Sequence, residues 1–117
     1  SKALRIYDSI YNQFQNHSLN DDILFRKSQV FKIQQMQDIA IDALKQLEEQ
    51  FPGSIILDKA LFSIAKLYEE DLNDFESAKK YYRKILFDHP SSLYVIDARK
   101  RFRKLSGKTN QNINKSS

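Results

Sequence analysis

The sequence predicts an all-α protein built from repeated pairs of antiparallel helices. Its 117 residues include only two glycines and two prolines, too few turn-forming residues for a chain of short strands. Residues of high helix propensity, such as Leu, Ala, Lys, Glu and Gln, occur throughout. A pattern of small, large and proline residues also recurs every 37 or 38 residues. A period of this length is typical of repeat architectures.

The recurrence is clearest where an alanine is followed by a large residue and then by a proline. The equivalent positions in the two later copies are Ala40 and Ala78, Leu44 and Tyr82, and Pro52 and Pro90. An earlier copy begins at Ala3 and has Gln15 in place of the proline. Small residues let two helices approach closely, and large residues three or four apart form a buried stripe. Proline then ends the second helix, because it cannot continue the hydrogen-bond ladder.

The periodicity places six helices along the chain. Their approximate ranges are 1–15, 20–34, 37–50, 56–71, 74–88 and 93–105. Asp38 and Asp74 lie near two helix starts, where a carboxylate favours the positive end of the helix dipole. The last residues, 106–117, are polar and lack periodicity, which predicts a disordered tail.

These helices divide into a repeat domain, 1–105, with four parts. The parts are a partial repeat 1–18, two repeats 19–54 and 55–92, and a C-terminal capping helix 93–105. Arg99 and Lys100 replace the leucine and phenylalanine of the earlier first helices, as expected for a polar cap. The chain opens on the second helix of a repeat, so we expect it to be the C-terminal piece of a longer array.

The distribution of charge limits the kinds of partner. The net charge is +4, with −2 on residues 1–58 and +6 on residues 59–117. The basic half indicates either a solvated face or a surface for an acidic protein, an anionic lipid or a nucleic acid. No cysteine is present, which excludes disulfides and thiolate chemistry.

Residues that carry chemistry occur in isolation. His17 and His89 have no partner at metal-ligand spacing. Neighbouring acidic residues such as Glu69 and Glu70 point apart on a helix, so they are not placed to share a proton. Two glycines cannot form a Gly-rich phosphate loop. We therefore expect no catalytic residue, no metal site and no cofactor.

One set of spacings resembles the tetratricopeptide repeat, whose signature is W-x2-L-G-x2-Y, then A-x3-F, then P. The residues that match are Leu61, Ile64, Ala65 and Tyr68, then Ala78, Tyr82 and Pro90. A more divergent copy runs from Leu24 to Pro52, with Lys27 and Ser28 in place of the leucine and glycine. One extra residue in 69–77 and three in the connection 52–61 lengthen the period, and HEAT-like helix pairs are the alternative. The resemblance implies a right-handed α-solenoid.

The resemblance also implies a site, because the first helices of tetratricopeptide repeats line a concave ligand groove. The groove residues expected here are Asp22, Phe25, Gln29, Lys32, Lys59, Phe62, Lys66, Glu69, Asp97, Lys100 and Lys104. Phe25 and Phe62 are equivalent and should stand on neighbouring helices, either exposed as anchors for a ligand or partly buried between helices. Gln29 and Lys66 occupy the asparagine position of the family's carboxylate clamp, so we expect no such clamp.

The expected function is a non-catalytic scaffold that binds an extended peptide or a helix of another protein. The N-terminal helix lacks its first-helix mate, which indicates a possible route to self-association. Two alternatives remain. The chain is a regulatory segment of a larger multidomain enzyme, or its basic C-terminal half binds anionic lipid or nucleic acid. Nucleic acid is the less favoured ligand, because only Phe102 interleaves the cations of residues 98–105.

The joints between the repeats, "FPGS" and "HPSS", are followed by alanine and, in the second joint, by an Ala-Arg pair. This sequence pattern resembles the inter-repeat joints of bacterial envelope tetratricopeptide proteins, such as outer-membrane assembly lipoproteins and partners of the Tol–Pal system. The resemblance implies a periplasmic or outer-membrane-associated location, with a cytoplasmic one as the alternative.

Overall fold

The computed structural model describes residues 19–114, which form helices joined by short turns. The five α-helices are α1 (Leu19–Ile33), α2 (Gln37–Gln50), α3 (Leu57–Lys66), α4 (Phe75–Asp88) and α5 (Val95–Asn114). A π-helical turn, Leu67–Asp71, continues α3. No strand occurs between residues 19 and 114. The all-α prediction is confirmed, while the predicted helix 1–15 lies outside the described residues.

The chain forms two compact units, one that ends at Ala60 and one that begins at Leu61. The division falls inside α3. In the first unit, α1 packs against α2. In the second unit, α4 packs against the π turn and against α5.

The first unit is held together by the apolar face of α2. The residues of this face are Ala40, Ile41, Ala43, Leu44 and Leu47, all buried. They follow the three- and four-residue spacing that places side chains on one side of a helix. On α1, Leu24 is buried in the same core. Ser28 is also buried, and its hydroxyl donates a hydrogen bond to the Phe25 carbonyl, which satisfies a polar group at a predicted small position.

The turn between α1 and α2 reverses the chain without a glycine. Gln35 adopts a left-handed conformation, with φ of 61°. The Met36 amide bonds to the Phe31 carbonyl, and the Gln35 amide bonds to the Lys32 carbonyl. These two bonds form a Schellman motif, which satisfies the last carbonyls of α1 and starts α2 after three residues.

The second unit buries the small and large positions of the repeat pattern. Ala65 of α3 and Ala78 of α4 are fully buried, as are Tyr82 and Ile85. Asp74 caps α4, because its carboxylate accepts hydrogen bonds from the amide and hydroxyl of Ser77. The expectation that Asp74 lies at a helix start is therefore confirmed.

The π turn accounts for the extra residue that the sequence shows in 69–77. In this turn the Leu72 amide bonds to the Leu67 carbonyl, five residues back, rather than four as in an α-helix. One additional residue is thus absorbed before α4 begins. Asn73 follows with φ of 54°, a conformation that asparagine tolerates better than most residues.

The last helix differs from its predicted extent. The sequence predicts a helix over 93–105 and a disordered tail from 106, whereas α5 begins at Val95 and continues to Asn114. Leu105 is fully buried and anchors it, and it is the last buried residue among those up to Gly107. Beyond that anchor, each added residue extends an existing helix without the cost of a new nucleus. The helix therefore replaces the predicted tail as far as Asn114.

Candidate functional site

The residues expected to line a groove lie on α1, α3, the π turn and α5, and they differ in exposure. The exposed members are Gln29, Lys32, Lys59, Asp97, Lys100 and Lys104. Asp22 and Lys66 are half-buried, and Phe25, Phe62 and Glu69 are buried. Four of the six exposed members are lysines, so the exposed members are mainly cationic.

In the first unit, Phe25 and Lys59 form one local arrangement. The Phe25 side chain is only 6% exposed. The Lys59 ammonium nitrogen lies 4.5 Å from the centre of its ring. At this distance the ring's negative face attracts the ammonium group. The lysine therefore covers the aromatic ring, and the outer surface at this point is a cation rather than an apolar anchor.

In the second unit, Phe62 belongs to an aromatic cluster. It is 9% exposed, stacks on Tyr94 at 4.9 Å between ring centres, and meets Tyr82 edge-on at 5.8 Å. The Lys66 ammonium and the Arg101 guanidinium each lie 5.9 Å from its ring centre. Of the two alternatives for Phe25 and Phe62, the structure shows burial. Exposed aromatic anchors are thus absent from both positions.

Glu69 is the buried one of three acidic residues in the expected groove, and the sequence analysis did not identify its partners. The Tyr82 hydroxyl donates a hydrogen bond of 2.7 Å to its Oε1 atom. Arg101 Nη1 donates to the same oxygen at 3.1 Å and to Oε2 of Glu70 at 3.0 Å. These bonds join α4, the π turn and α5. Tyr82 was predicted as a core residue, but nothing in its spacing indicated a carboxylate partner.

The protonation of this network is set by its surroundings. Burial raises the pKa of the Tyr82 hydroxyl well above its ordinary value, and the hydrogen bond to Glu69 raises it further. Burial lowers the pKa of Arg101, but its hydrogen bonds to Glu69 and Glu70 outweigh that effect, so the pKa is raised overall. Tyr82 therefore stays neutral and Arg101 stays charged near neutral pH. The network is suited to holding helices together and not to transferring protons.

The two joints between repeats have the same local structure. The Ser54 hydroxyl accepts a hydrogen bond of 3.1 Å from the Ile56 amide, and the Ser92 hydroxyl accepts one of 3.0 Å from the Tyr94 amide. Each serine follows a proline by two residues and forms a hydrogen-bonded turn just before the next helix. In the first joint, Ser54 also donates a bond of 2.6 Å to Oδ2 of Asp21. That bond ties the joint to α1.

A cavity of about 770 Å³ lies beside the first joint, entirely within the first unit. It is lined by Asp21 and Asp22 of α1 and by residues 50–56. Its walls are mainly apolar, with the two carboxylates as acidic groups. Asp22 pairs with Arg26 at 2.8 Å. The sequence analysis recognised the recurring Pro-x-Ser joints but did not predict a cavity there.

Metal-ligand clusters and membrane-spanning helices are both absent from residues 19–114. Within residues 19–114, no three His, Cys, Asp or Glu side chains cluster closely enough to hold a metal ion. In the same part of the chain, no helix is long and apolar enough to cross a membrane.

Comparison with known proteins identifies the family to which the chain belongs. A family model described as tetratricopeptide repeat matches the chain twice, over residues 22–54 and 59–92. No curated protein and no solved structure matches the chain. The two matches span more than half of the sequence and contain both copies of the repeat pattern, from Leu24 to Pro52 and from Leu61 to Pro90. The chain therefore belongs to the tetratricopeptide repeat family.

Proposed function

We propose that the chain is a non-catalytic module that binds an acidic segment of another protein along the first helix of each repeat. Tetratricopeptide repeats generally mediate interactions between proteins, and the two matched repeats support a protein partner here. The observation that carries the proposal is the lysine placed over a phenylalanine ring in each repeat. The pairs are Lys59 with Phe25 and Lys66 with Phe62.

An ammonium group held over a ring is well placed to bind a carboxylate. The ring attracts the ammonium group and so restricts the position of the lysine side chain, and an ammonium group has three N–H donors. A charge-assisted bond from such a lysine to a partner carboxylate is stronger than a neutral hydrogen bond. Lys32 on α1 and Lys100 and Lys104 on α5 are further exposed cations at the expected groove positions. An acidic peptide or helix matches these groups.

The burial of the two phenylalanines argues against a nucleic acid as the ligand of these residues. Single-stranded nucleic acids bind to surfaces where aromatic rings stack against their bases. Phe25 and Phe62 are too buried to serve as such platforms. An acidic protein segment can bind the lysines without stacking on the aromatic rings.

Selection of binders from a library of random peptides tests the proposal. We expect the selected peptides to be rich in Asp and Glu, and their affinity to fall as salt is added, since exposed ion pairs are screened. A variant that carries Lys32→Ala, Lys59→Ala and Lys100→Ala should bind a selected peptide about tenfold more weakly, as three exposed ion pairs contribute about 0.2–1 kcal/mol each. Fluorescence anisotropy measures this change.

The matched control removes the same amount of charge from α4, a second helix, where Lys84 also lies 4.7 Å from the centre of the Tyr81 ring. It therefore tests position on a first helix separately from the contact between a cation and a ring. A variant with Lys80→Ala, Arg83→Ala and Lys84→Ala should bind the peptide as the parent does. Selection of neutral or basic peptides would overturn the proposal. Equal loss of binding in the two triple variants would also overturn it, because the effect would then come from net charge alone.

We further propose that this module forms part of a longer repeat array in a bacterial periplasm or at an outer membrane. The support is the Pro-x-Ser joint, which occurs twice and ends at Ser54 and at Ser92. Similar joints occur in envelope members of the family. Fractionation of the source cells, followed by detection with an antibody against this chain, tests the location. Recovery in the cytoplasmic fraction would contradict it.

A further inference from the structure

The cavity at the first joint has a chemistry that the proposed partner of the lysines does not use. Its apolar wall includes Ile55, which is 93% exposed, although a large aliphatic side chain is normally favoured in the interior. Its acidic groups are Asp21 and Asp22. Asp21 is held in place, because Oδ1 accepts from the Asp22 amide and Oδ2 accepts from the Ser54 hydroxyl. The cavity thus suits aliphatic side chains that are accompanied by cations.

The outer face of α5 offers such a set of side chains. Leu93, just before the helix, is 94% exposed, and Ile96 in its first turn is 64% exposed. Arg99 and Arg103 follow Ile96 by three and seven residues, so the three side chains lie on one face of the helix. Both arginines are exposed. We call Leu93, Ile96, Arg99 and Arg103 the α5 ridge.

The α5 ridge is distinct from the part of α5 that is expected to meet an acidic partner. Asp97, Lys100 and Lys104 recur at three- and four-residue intervals along a different line of the helix. A change in the ridge can therefore be made without altering those residues. The buried face, with Ala98 and Leu105, lies on the opposite side.

We propose that the chain associates head to tail with a second copy of itself, the α5 ridge of one copy entering the joint cavity of the next. Leu93 and Ile96 bury aliphatic surface against the apolar wall, and the two arginines approach Asp21 and Asp22. The charge distribution is complementary, with −2 on residues 1–58 and +6 on residues 59–117. Arg26 already pairs with Asp22, so Asp21 is the stronger acceptor for an incoming arginine.

The two surfaces are different, which makes the contact heterologous. In a contact of this type each copy keeps one unused cavity and one unused ridge, so further copies add to both ends. The contact involves few residues on each side, and small interfaces are weak. With a Kd of about 100 µM, the weight-average mass should rise about twofold between roughly 20 and 200 µM. Sedimentation equilibrium of the whole chain measures this rise.

Two variants each remove one side of the contact. Ile55→Lys places a cation in the cavity wall, and Arg103→Glu reverses a charge on the ridge. Both sites are exposed, so we expect both variants to fold, with helical content and melting temperature measured by circular dichroism. Each variant alone should remain monomeric at roughly 200 µM, since like charges are then brought together. The matched controls, Ile33→Lys on α1 and Lys80→Glu on α4, should associate as the parent does.

A mixture of the two variants distinguishes this arrangement from other kinds of association. Ile55→Lys retains an intact ridge and Arg103→Glu retains an intact cavity, so an equimolar mixture should form dimers and nothing larger. A monomeric parent across the concentration range would overturn the proposal. Association that survives both variants, or a mixture that stays monomeric, would also overturn it. If Ile55→Lys loses helical content, Ile55→Ser takes its place in the mixture with the same expected result.

Discussion

The Tyr82 hydroxyl donates a hydrogen bond of 2.7 Å to Oε1 of Glu69, and both side chains are buried in the second unit. Arg101 donates to the same oxygen, so one carboxylate atom receives a bond from α4 and another from α5. A buried carboxylate is costly unless its charge is balanced and its oxygens are hydrogen-bonded. The three side chains therefore depend on one another, which leads to two predictions.

Replacement of Arg101 should destabilise the second unit. Arg101→Met keeps much of the aliphatic packing but leaves Glu69 without its cation, and loss of such bonds should lower the free energy of unfolding by about 1.5–3 kcal/mol. Chemical denaturation measures the change. Arg103→Met removes an exposed arginine of the same helix and should change stability by less than about 0.5 kcal/mol. Equal effects of the two substitutions would contradict the structural role of Arg101.

Tyr82 should make the stability of the protein fall in alkaline solution. Its folded pKa is raised by burial, whereas in the unfolded chain it ionises near pH 10. Above about pH 10 the folded state therefore binds more protons, and stability decreases by up to about 1.4 kcal/mol per pH unit. Tyr82→Phe removes this contribution, so the difference in stability between the variant and the parent should narrow as the pH rises. Urea denaturation at several pH values measures it. A constant difference from about pH 9 to 11 would contradict the prediction.

Asn20 should be replaceable by leucine with a gain in stability. It is fully buried, and neither its Oδ1 nor its Nδ2 atom has a hydrogen-bond partner. The equivalent positions in the other first helices are Leu57 and Val95. An unsatisfied buried polar group costs about 1–3 kcal/mol, so Asn20→Leu should raise the free energy of unfolding by about 1–2 kcal/mol. Thermal denaturation measures the gain. A loss of stability would mean that the asparagine finds partners in solution.

Replacement of Gln35 by glycine should also increase the stability of the protein. A left-handed conformation costs a non-glycine residue roughly 1–2 kcal/mol, and part of the relief is offset by the greater freedom of glycine in the unfolded chain. Gln35→Gly should therefore stabilise the protein by about 0.5–1 kcal/mol. Asn73→Gly is the matched comparison, since asparagine already tolerates this conformation, and it should produce a smaller gain. The melting temperatures of the two variants provide the test.

The helices could be predicted because their signals are local. Helix α2 occupies residues 37–50, as expected from the spacing of Ala40, Leu44 and Leu47. That spacing places the three side chains on one face whatever lies opposite. The end of α5 could not be predicted in the same way, because the polar residues after Leu105 carry no periodic signal, although they can extend a helix that is already formed.

The site was predicted less completely. Lys59 and Phe25 were both expected near the ligand, but the contact between them joins residues 34 positions apart and depends on how the helices approach. The same applies to Glu69, whose spacing assigned it to an exposed face. The π turn and Tyr82 instead bring it into the interior. Membership of a groove can be inferred from a repeat position, whereas exposure depends on neighbours that are distant in the chain.

Local order in this protein follows from its amino-acid pattern alone: the two recurring helix pairs, the prolines just after their second helices, and the acidic cap at Asp74. These features depend on interactions within a few residues. Packing between distant segments determines the rest, namely the burial of Phe25 and Phe62, the Glu69 network and the cavity beside Asp21. Burial free energy depends on which surfaces meet, and that information is absent from the spacing of residues along one helix.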